Sequence, residues 1–291
     1  MSNENLILQV SYTPHTTVKD AEFVINDLNE FNPHFFIPAE LGRSYNGLKK
    51  LQRHYGELIE GKKELSEKRP FYDFHKRLTD ELRKYNESNG IRFYFLEAHQ
   101  KEEARKIGRK HEEEINHKKK AWEHFDENEI DKACDELYQA LILHARNGKT
   151  RAESIETNAK KLGEYLVYEY PDFANKEKIK LHAWLSDIYS PPVIDFKGCI
   201  PNFIESYQKL PYVQLTYVEA VRNLILGKEI SQEDLSVCFA ENIIEEKLRT
   251  EIPNSIERFE LCRNISKELE YDYKISDVEE LLKSVRIDVK I

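Results

Sequence analysis

The sequence of 291 residues has few of the features that mark cross-linked or membrane proteins. Its four cysteines are far apart and form no Cys-x-x-Cys pair, which fits neither a thiolate zinc site nor a disulfide framework. We therefore interpret them as buried thiols. No apolar run is long enough to span a bilayer, so we expect no membrane contact. The N-terminal segment is acidic and leads directly into an apolar run, which is unlike a secretory signal and predicts a cytoplasmic protein.

The lack of nucleotide-binding motifs and of a net positive charge reduces the number of possible functions. The sequence has no Gly-x-Gly-x-x-Gly and no P-loop spacing, which disfavours the common nucleotide-dependent enzymes. A net charge of −9 opposes non-specific attraction to nucleic acid, and we expect no nucleic-acid partner. Charged residues make up 33% and hydrophobic residues 40%, proportions that are typical of an ordinary globular chain.

Strand and helix patterns alternate along the chain. The apolar runs at 6–12 and 35–40 are typical of buried parallel strands, and the segment between them has an apolar stripe at helical spacing. Further strands are predicted at 91–96, 179–185, 212–218 and 285–291. The alternation predicts a single α/β domain over 1–291, with a mainly parallel sheet of about six strands flanked by many helices.

A charged helical insertion is predicted at 98–147. Its first part, 100–120, consists almost entirely of Lys, Arg, Glu and His, so we expect it to project mostly into solvent, where it could dock a protein partner or a second copy. Glu114 and His117 form one Glu-x-x-His repeat, but a di-iron site of that kind uses two. Asn147-Gly148 predicts the end of the insertion, and Thr150 is predicted to open a new helix.

Polar residues follow three of the predicted strands. They are His15 after the first strand, Glu40 and Arg43 after the second, and Glu97 and His99 after the third. Because ligands of open α/β sheets bind at the carboxyl ends of the strands, these residues are candidates for one site. A histidine there can bind a metal or act as a base, and a neighbouring glutamate can do the same. The simpler alternatives are a turn histidine and a surface ion pair between Glu40 and Arg43.

Two later segments add further candidates. Arg151 and Asn158 are seven residues apart, so they lie on one face of a helix and could orient a carboxylate or bind an anionic substrate group. Asp187 follows the strand at 179–185 and could be another acidic residue of the site, although a turn after a strand often contains aspartate without any function.

In the order and kind of these residues, the chain resembles the TraB/PrgY/Tiki superfamily, which includes erythromycin esterase-like and ChaN-like proteins. The resemblance rests on His15 after the first strand, Glu40 after the second, the helix with Arg151 and Asn158, and a later strand with a polar exit. That family has Gly-x-x-His after its first strand and again after a late strand. Here Tyr12 stands in place of the first glycine, and Asp187 stands where the second histidine would be.

The resemblance implies a hydrolase that acts on a small-molecule or peptide substrate at the C-terminal edge of the sheet. In this interpretation Glu40 activates water, His15 acts as a base or metal ligand, and Arg151 binds negative charge; Arg43, Glu97, His99, Asn158 and Asp187 contact the substrate. With the second histidine missing, and His182 inside its strand, we expect no tightly held metal and at most weak binding of a divalent ion. The alternative is a non-catalytic binding protein on the same fold that uses the charged helices.

Overall fold

The structure is a computed structural model. It describes residues 2–13, 18–38, 43–67, 72–190, 192–207, 216–231, 234–235 and 238–239. A five-stranded, entirely parallel sheet flanked by helices confirms the predicted α/β class. None of the described helices is both long and apolar enough to cross a bilayer.

The elements alternate along the chain as the sequence predicts. In order they are β1 (Leu6–Tyr12), α1 (Val18–Phe31), β2 (Phe35–Ile37), β3 (Arg43–Ser44), α2 (Tyr45–Ile59), α3 (Tyr72–Asn89), β4 (Arg92–Phe93), β5 (Ala98–His99), α4 (Lys101–Asp126), α5 (Ile130–Lys160), α6 (Leu162–Glu169), β6 (Ile179–Leu185), α7 (Phe196–Cys199), β7 (Asn202–Tyr207) and α8 (Thr216–Ile225).

The main sheet has the strand order β4-β2-β6-β1-β7. Strand β1 lies between β6 and β7, and its Leu8 and Val10 are fully buried, as expected for an interior parallel strand. The chain passes from β1 across β6 to reach β2, and later from β6 across β1 to reach β7. These opposite directions make the β1–β6 pair the topological switch point, where α/β sheets form a crevice beyond the strand ends.

The two faces of the sheet are covered by different helices. Phe36 and Trp184 belong to a core with the apolar faces of α1, α2 and α3. Phe35 points to the opposite face, because successive strand residues alternate, and its ring lies 5.1 Å from that of Tyr170 and 4.9 Å from that of Phe173. The sheet is therefore buried on both sides.

Several predicted strands differ from those observed. The prediction of a strand at 212–218 is wrong where the structure describes it, because α8 begins at Thr216. The unpredicted strand β7 lies at one end of the sheet, and its exposed and half-exposed side chains give no apolar run. The third predicted strand is shorter than expected: β4 has two residues, and β5 pairs instead with β3 in a separate two-stranded sheet. The strand predicted at 285–291 lies outside the described residues.

Helix α5 continues through the predicted break at Asn147-Gly148, so that prediction is wrong and Thr150 is an interior helical residue. Gly148 lies close to α8: a Cβ atom added there would lie 2.8 Å from Cδ1 of Ile225. The glycine thus serves close packing between helices and does not end one. Most side chains from 101 to 120 are exposed, as expected, but Ile107 and Glu114 are buried.

The chain forms two compact units. The first contains 1–107 and 150–208, including the sheet, and the second contains 108–149 and 209–291. Helices α4 and α5 each contribute residues to both. The single domain over 1–291 stays a prediction.

Candidate functional site

In the first unit, one face of α5 holds the segment that leaves β4. The Nδ2 atom of Asn158 donates a hydrogen bond of 2.6 Å to the carbonyl oxygen of Leu96, and Oγ of Ser154 donates one of 3.0 Å to that of Ala98. These carbonyl groups come from a short extended segment, and the helix supplies side-chain donors for them. Residues 151, 154 and 158 follow the helical repeat, so Arg151 lies on the same face.

Arg151 forms a two-pronged ion pair with Glu97. Its Nε atom lies 2.8 Å from both carboxylate oxygens, and Nη2 lies 2.8 Å from Oε2. The Glu97 side chain is 8% exposed. Burial alone would raise the pKa of Glu97, but the Arg151 guanidinium and the His99 ring outweigh that effect and hold the pKa below its usual value. Glu97 is therefore ionised near neutral pH.

His99 lies between two carboxylates. Its Nε2 atom is 3.0 Å from Oε1 of Glu97, its Nδ1 atom is 3.1 Å from Oε2 of Glu103, and the residue is 1% exposed. An ionised carboxylate only accepts hydrogen bonds, so both ring nitrogens must donate. Burial opposes the positive charge, but the two carboxylates together raise the pKa of His99. We therefore describe His99 as an imidazolium that holds the cluster together, which leaves it no basic nitrogen.

The ion pair is linked to the end of β6. The guanidinium carbon of Arg151 lies 5.2 Å from the centre of the Tyr189 ring, within the range of a cation–π contact. Tyr189 ends the 3-10 turn that begins at Asp187, two residues after the end of β6. Through Tyr189, the cluster thus reaches the carboxyl end of a strand that borders the switch point.

Four residues of the predicted site are brought together by the structure: Glu97, His99, Arg151 and Asn158. His15 and Glu40 lie outside the described residues, and the side chains of Arg43 and Asp187 do as well. The backbone of Arg43 pairs with that of Ala98, which places β3 beside the segment that carries Glu97 and His99.

A cavity of about 370 Å³ adjoins this segment in the first unit. The described residues that line it come from α2, α5, α6 and the chain after β4: Leu48, Lys49, Gln52, Tyr94, Phe95, Ala98, Asn158, Tyr165, Tyr168 and Glu169. Of these residues, only Asn158 belongs to the predicted site. Tyr165 and Tyr168 are three residues apart on α6, and this pairing of large aromatic residues on one helix face was the available signal.

A second polar cluster lies inside the sheet, on the side of α1. Oγ of Ser11 donates to Asp27 at 2.5 Å and lies 2.7 Å from Nε2 of His182. Burial lowers the pKa of His182 to about 3, so the ring is neutral and donates from Nε2. Among the residues that the structure describes, Nδ1 of this ring has no hydrogen-bond partner. His182 lies in the middle of β6 and not at its end. It therefore does not stand at a strand end, where the resemblance would place a second histidine. The sequence analysis did not identify Ser11 or Asp27.

In the second unit, Glu114 and His117 take part in separate pairs. Oε1 of Glu114 lies 2.8 Å from Nζ of Lys118 and 2.9 Å from Nδ1 of His144, whereas His117 binds Glu136 at 2.5 Å. Burial opposes the charge of Glu114, but His144 and Lys118 lower its pKa to about 2. Glu114 is 3% exposed and is therefore an exception in the segment 100–120, which was expected to project mostly into solvent.

One group in the described part of the chain has donor atoms close enough to hold a metal ion. His124, Glu127 and Glu129 place these atoms within 4.8 Å of one another at the C-terminal end of α4. Glu129 is already engaged by Lys132 at 2.6 Å and by His124 at 2.8 Å. An ion would have to displace the lysine, and we assign no metal to this group.

Comparison with protein families, with curated proteins and with solved structures finds no match to this chain.

Proposed function

We propose that this chain is a hydrolase of the TraB or erythromycin esterase-like type, with its site at the C-terminal edge of the sheet. The observation that carries the proposal is the convergence of Glu97 and His99 with Arg151 and Asn158, which the sequence pattern singled out from separate segments. A cavity of ligand size adjoins the cluster. A polar cluster beside such a cavity is the usual setting of an active site.

The geometry supports a division of roles in this proposal. Glu97 compensates the charge of Arg151 and thereby weakens its attraction for an anionic substrate, so we assign Arg151 to positioning Glu97. His99 has no basic nitrogen for proton transfer. The reacting groups are then Glu40, which activates water, and His15, which serves as a base or a weak metal ligand. Glu40 precedes Arg43 by three residues, and β3 joins the cluster through its pairing with β5.

The test is turnover of a panel of short-chain esters, aryl esters, amides and peptides by the purified protein. Replacing Glu40 with Gln or His15 with Asn removes the proposed base, so we expect kcat to fall by about 10²–10⁴. Glu87→Gln is the matched control, since Glu87 is an exposed residue of α3. Turnover that survives both site variants would show that the chemistry lies elsewhere.

A non-catalytic binding protein on the same fold is the second candidate. The observation that favours it is the mutual compensation of Glu97, Arg151 and His99, since a set of charges that satisfy one another stabilises a structure without providing a base. A folded wild-type protein without turnover on the whole panel would favour this candidate. Its charged α4 residues would then be the first surface to test for a protein partner or a second copy.

A further inference from the structure

The cavity beside the cluster lies between two helices and the chain that leaves β4. Its volume of about 370 Å³ is at the lower end of the range for ligand pockets, which suits a molecule with one or two fused rings. Leu48 and Gln52 are one turn apart on α2 and form one side. Tyr165 and Tyr168 are one turn apart on α6 and form another.

Four aromatic residues line the cavity: Tyr94, Phe95, Tyr165 and Tyr168. Tyr94 and Phe95 follow β4 and are almost buried, whereas Tyr168 on α6 is 89% exposed. A tyrosine so exposed contributes little apolar burial to the fold, but beside a cavity it offers a flat face for stacking. The rings on both sides favour a planar, ring-containing ligand.

Asn158 gives the wall a hydrogen-bond acceptor. Its side chain is 92% buried, since the residue is 8% exposed, and its Nδ2 atom donates to the carbonyl oxygen of Leu96. That bond fixes the orientation of the amide, because a carbonyl oxygen needs a donor opposite it. Within the part of the chain that the structure describes, Oδ1 makes no hydrogen bond, and the residue lines the cavity. A ligand with an N–H or O–H group would satisfy this oxygen.

The charges at the cavity compensate one another. Lys49 on α2 and Glu169 at the end of α6 both line it, and Lys49 acts to lower the pKa of Glu169 against the larger, opposite effect of burial. One cation and one anion leave no net preference for an ion. The lining therefore favours an uncharged ligand.

We propose that this cavity binds an uncharged, ring-containing small molecule whose N–H or O–H group donates to Oδ1 of Asn158. Its ring lies between Tyr94 and Phe95 on one side and the α6 tyrosines on the other. The binding step depends on the cavity alone. That the cavity holds the ring of a substrate rests on the proposed hydrolase function, and it makes an aryl amide that keeps an N–H group the substrate class.

The test uses three matched ligands that the protein does not need to hydrolyse. Naphthalene-2-carboxamide is neutral and has an N–H donor, its N,N-dimethyl derivative lacks the donor, and naphthalene-2-carboxylate is an anion. We expect the carboxamide to bind the purified protein in calorimetric titrations. Loss of one hydrogen bond should weaken the dimethyl derivative about fivefold, and the carboxylate should bind more weakly as well.

Variants locate the binding in the cavity. Tyr168→Ala should weaken carboxamide binding about fivefold through loss of ring stacking. Because Tyr168 is 89% exposed, we expect the variant to fold like the wild type. Tyr207→Ala is the control, because Tyr207 is an exposed tyrosine of the same unit that does not line the cavity. Leu48→Trp, which would fill the cavity, should abolish binding.

The outcomes separate this proposal from the hydrolase proposal. No carboxamide binding at millimolar concentration, equal binding of the three ligands, or full binding by Tyr168→Ala would each overturn the cavity proposal. Carboxamide binding that Tyr168→Ala weakens, without turnover of any aryl amide or aryl ester, would support the cavity and count against the hydrolase. Turnover of short alkyl esters without carboxamide binding would support the hydrolase and count against the cavity proposal.

Discussion

At the scale of single residues, the cluster around Glu97 shows how buried charges are retained. Neither Glu97 nor Arg151 could be buried alone, because an isolated ion loses several kcal/mol of solvation in a protein interior. Each is stable there because the other, together with His99, satisfies it. Removing the charge of one member should therefore lower the free energy of unfolding strongly. Removing two opposite charges together should lower it much less.

A double-mutant cycle tests this coupling. Arg151→Met leaves Glu97 buried without its main partner, and we expect a loss of about 3–5 kcal/mol in the free energy of unfolding. Adding Glu97→Gln removes the stranded charge, so the double variant should be more stable than the sum of the single losses predicts. Urea unfolding of the four proteins measures the coupling.

The comparison cycle is the exposed pair of Lys76 and Asp80 on α3, which lie 2.7 Å apart. An exposed pair one helical turn apart couples by only about 0.3–0.5 kcal/mol. If the cycle of Arg151 and Glu97 gives a coupling as small as that, the cluster is not held by mutual compensation.

His99 should make stability depend on pH. Its pKa is raised above 6.5, so its contribution is complete below pH 6.5 and is lost as the pH rises through the folded-state value. The pKa of Glu97 is lowered below 4.5, so its contribution is complete above pH 4.5 and is lost only on further acidification. We expect the unfolding free energy of wild type to exceed that of His99→Gln most between these two values, and the difference to shrink at alkaline pH. A difference that does not change with pH would show that His99 is not an imidazolium.

These residues also show what the sequence could reveal about the site. The seven-residue spacing of Arg151 and Asn158 placed them on one helix face, because helical periodicity is a local property. The pairing of Arg151 with Glu97 joins residues 54 positions apart and depends on how α5 packs beside the segment after β4. No local pattern contains that information. The cavity residues on α2 and α6 could not be predicted either, because the packing of distant segments brings them together.

At the scale of elements, α5 shows that a glycine has more than one structural meaning. Asn147-Gly148 suggested a helix end, because glycine is common there. In the structure, Gly148 lies inside a 31-residue helix and allows close approach of α8. Strand β7 was missed for a related reason, since its polar residues suit a sheet edge and give no apolar run. By contrast, β1 and β6 were predicted with their observed bounds because both are interior strands.

The close approach of α8 to Gly148 can be tested in a variant that lacks the nearest atom of α8. Ile225→Val removes Cδ1, the atom that would lie 2.8 Å from an added Cβ. In that background, Gly148→Ala should stabilise the protein by about 0.5–1 kcal/mol, because alanine is the better helix former. In wild type the gain should be smaller or reversed, since Ile225 must shift. An equal gain in both backgrounds, measured by urea unfolding, would refute the close approach.

At the scale of the whole molecule, the order of strands in the sheet differs greatly from their order in the chain. Alternating elements predicted a parallel sheet, because parallel strands need crossover connections, but they did not predict which strands are neighbours. The insertion of β6 between β1 and β2 brings together residues from distant parts of the sequence. In the sequence, helices α4 and α5 lie between β6 and its two neighbours in the sheet, β1 and β2.

This separation has a consequence for synthesis on the ribosome. The partner of β1 on one side, β6, is translated about 170 residues after it, and β7 is later still. At about 5–20 residues per second, β1 waits roughly 10–35 s for its first neighbour. Throughout that interval the nascent chain contains the apolar segment Leu6–Tyr12, and the strands that will hydrogen-bond with its backbone have not yet been made. Such a segment is a substrate for chaperones that bind emerging chains, and the sheet can form only after most of the polypeptide has left the exit tunnel.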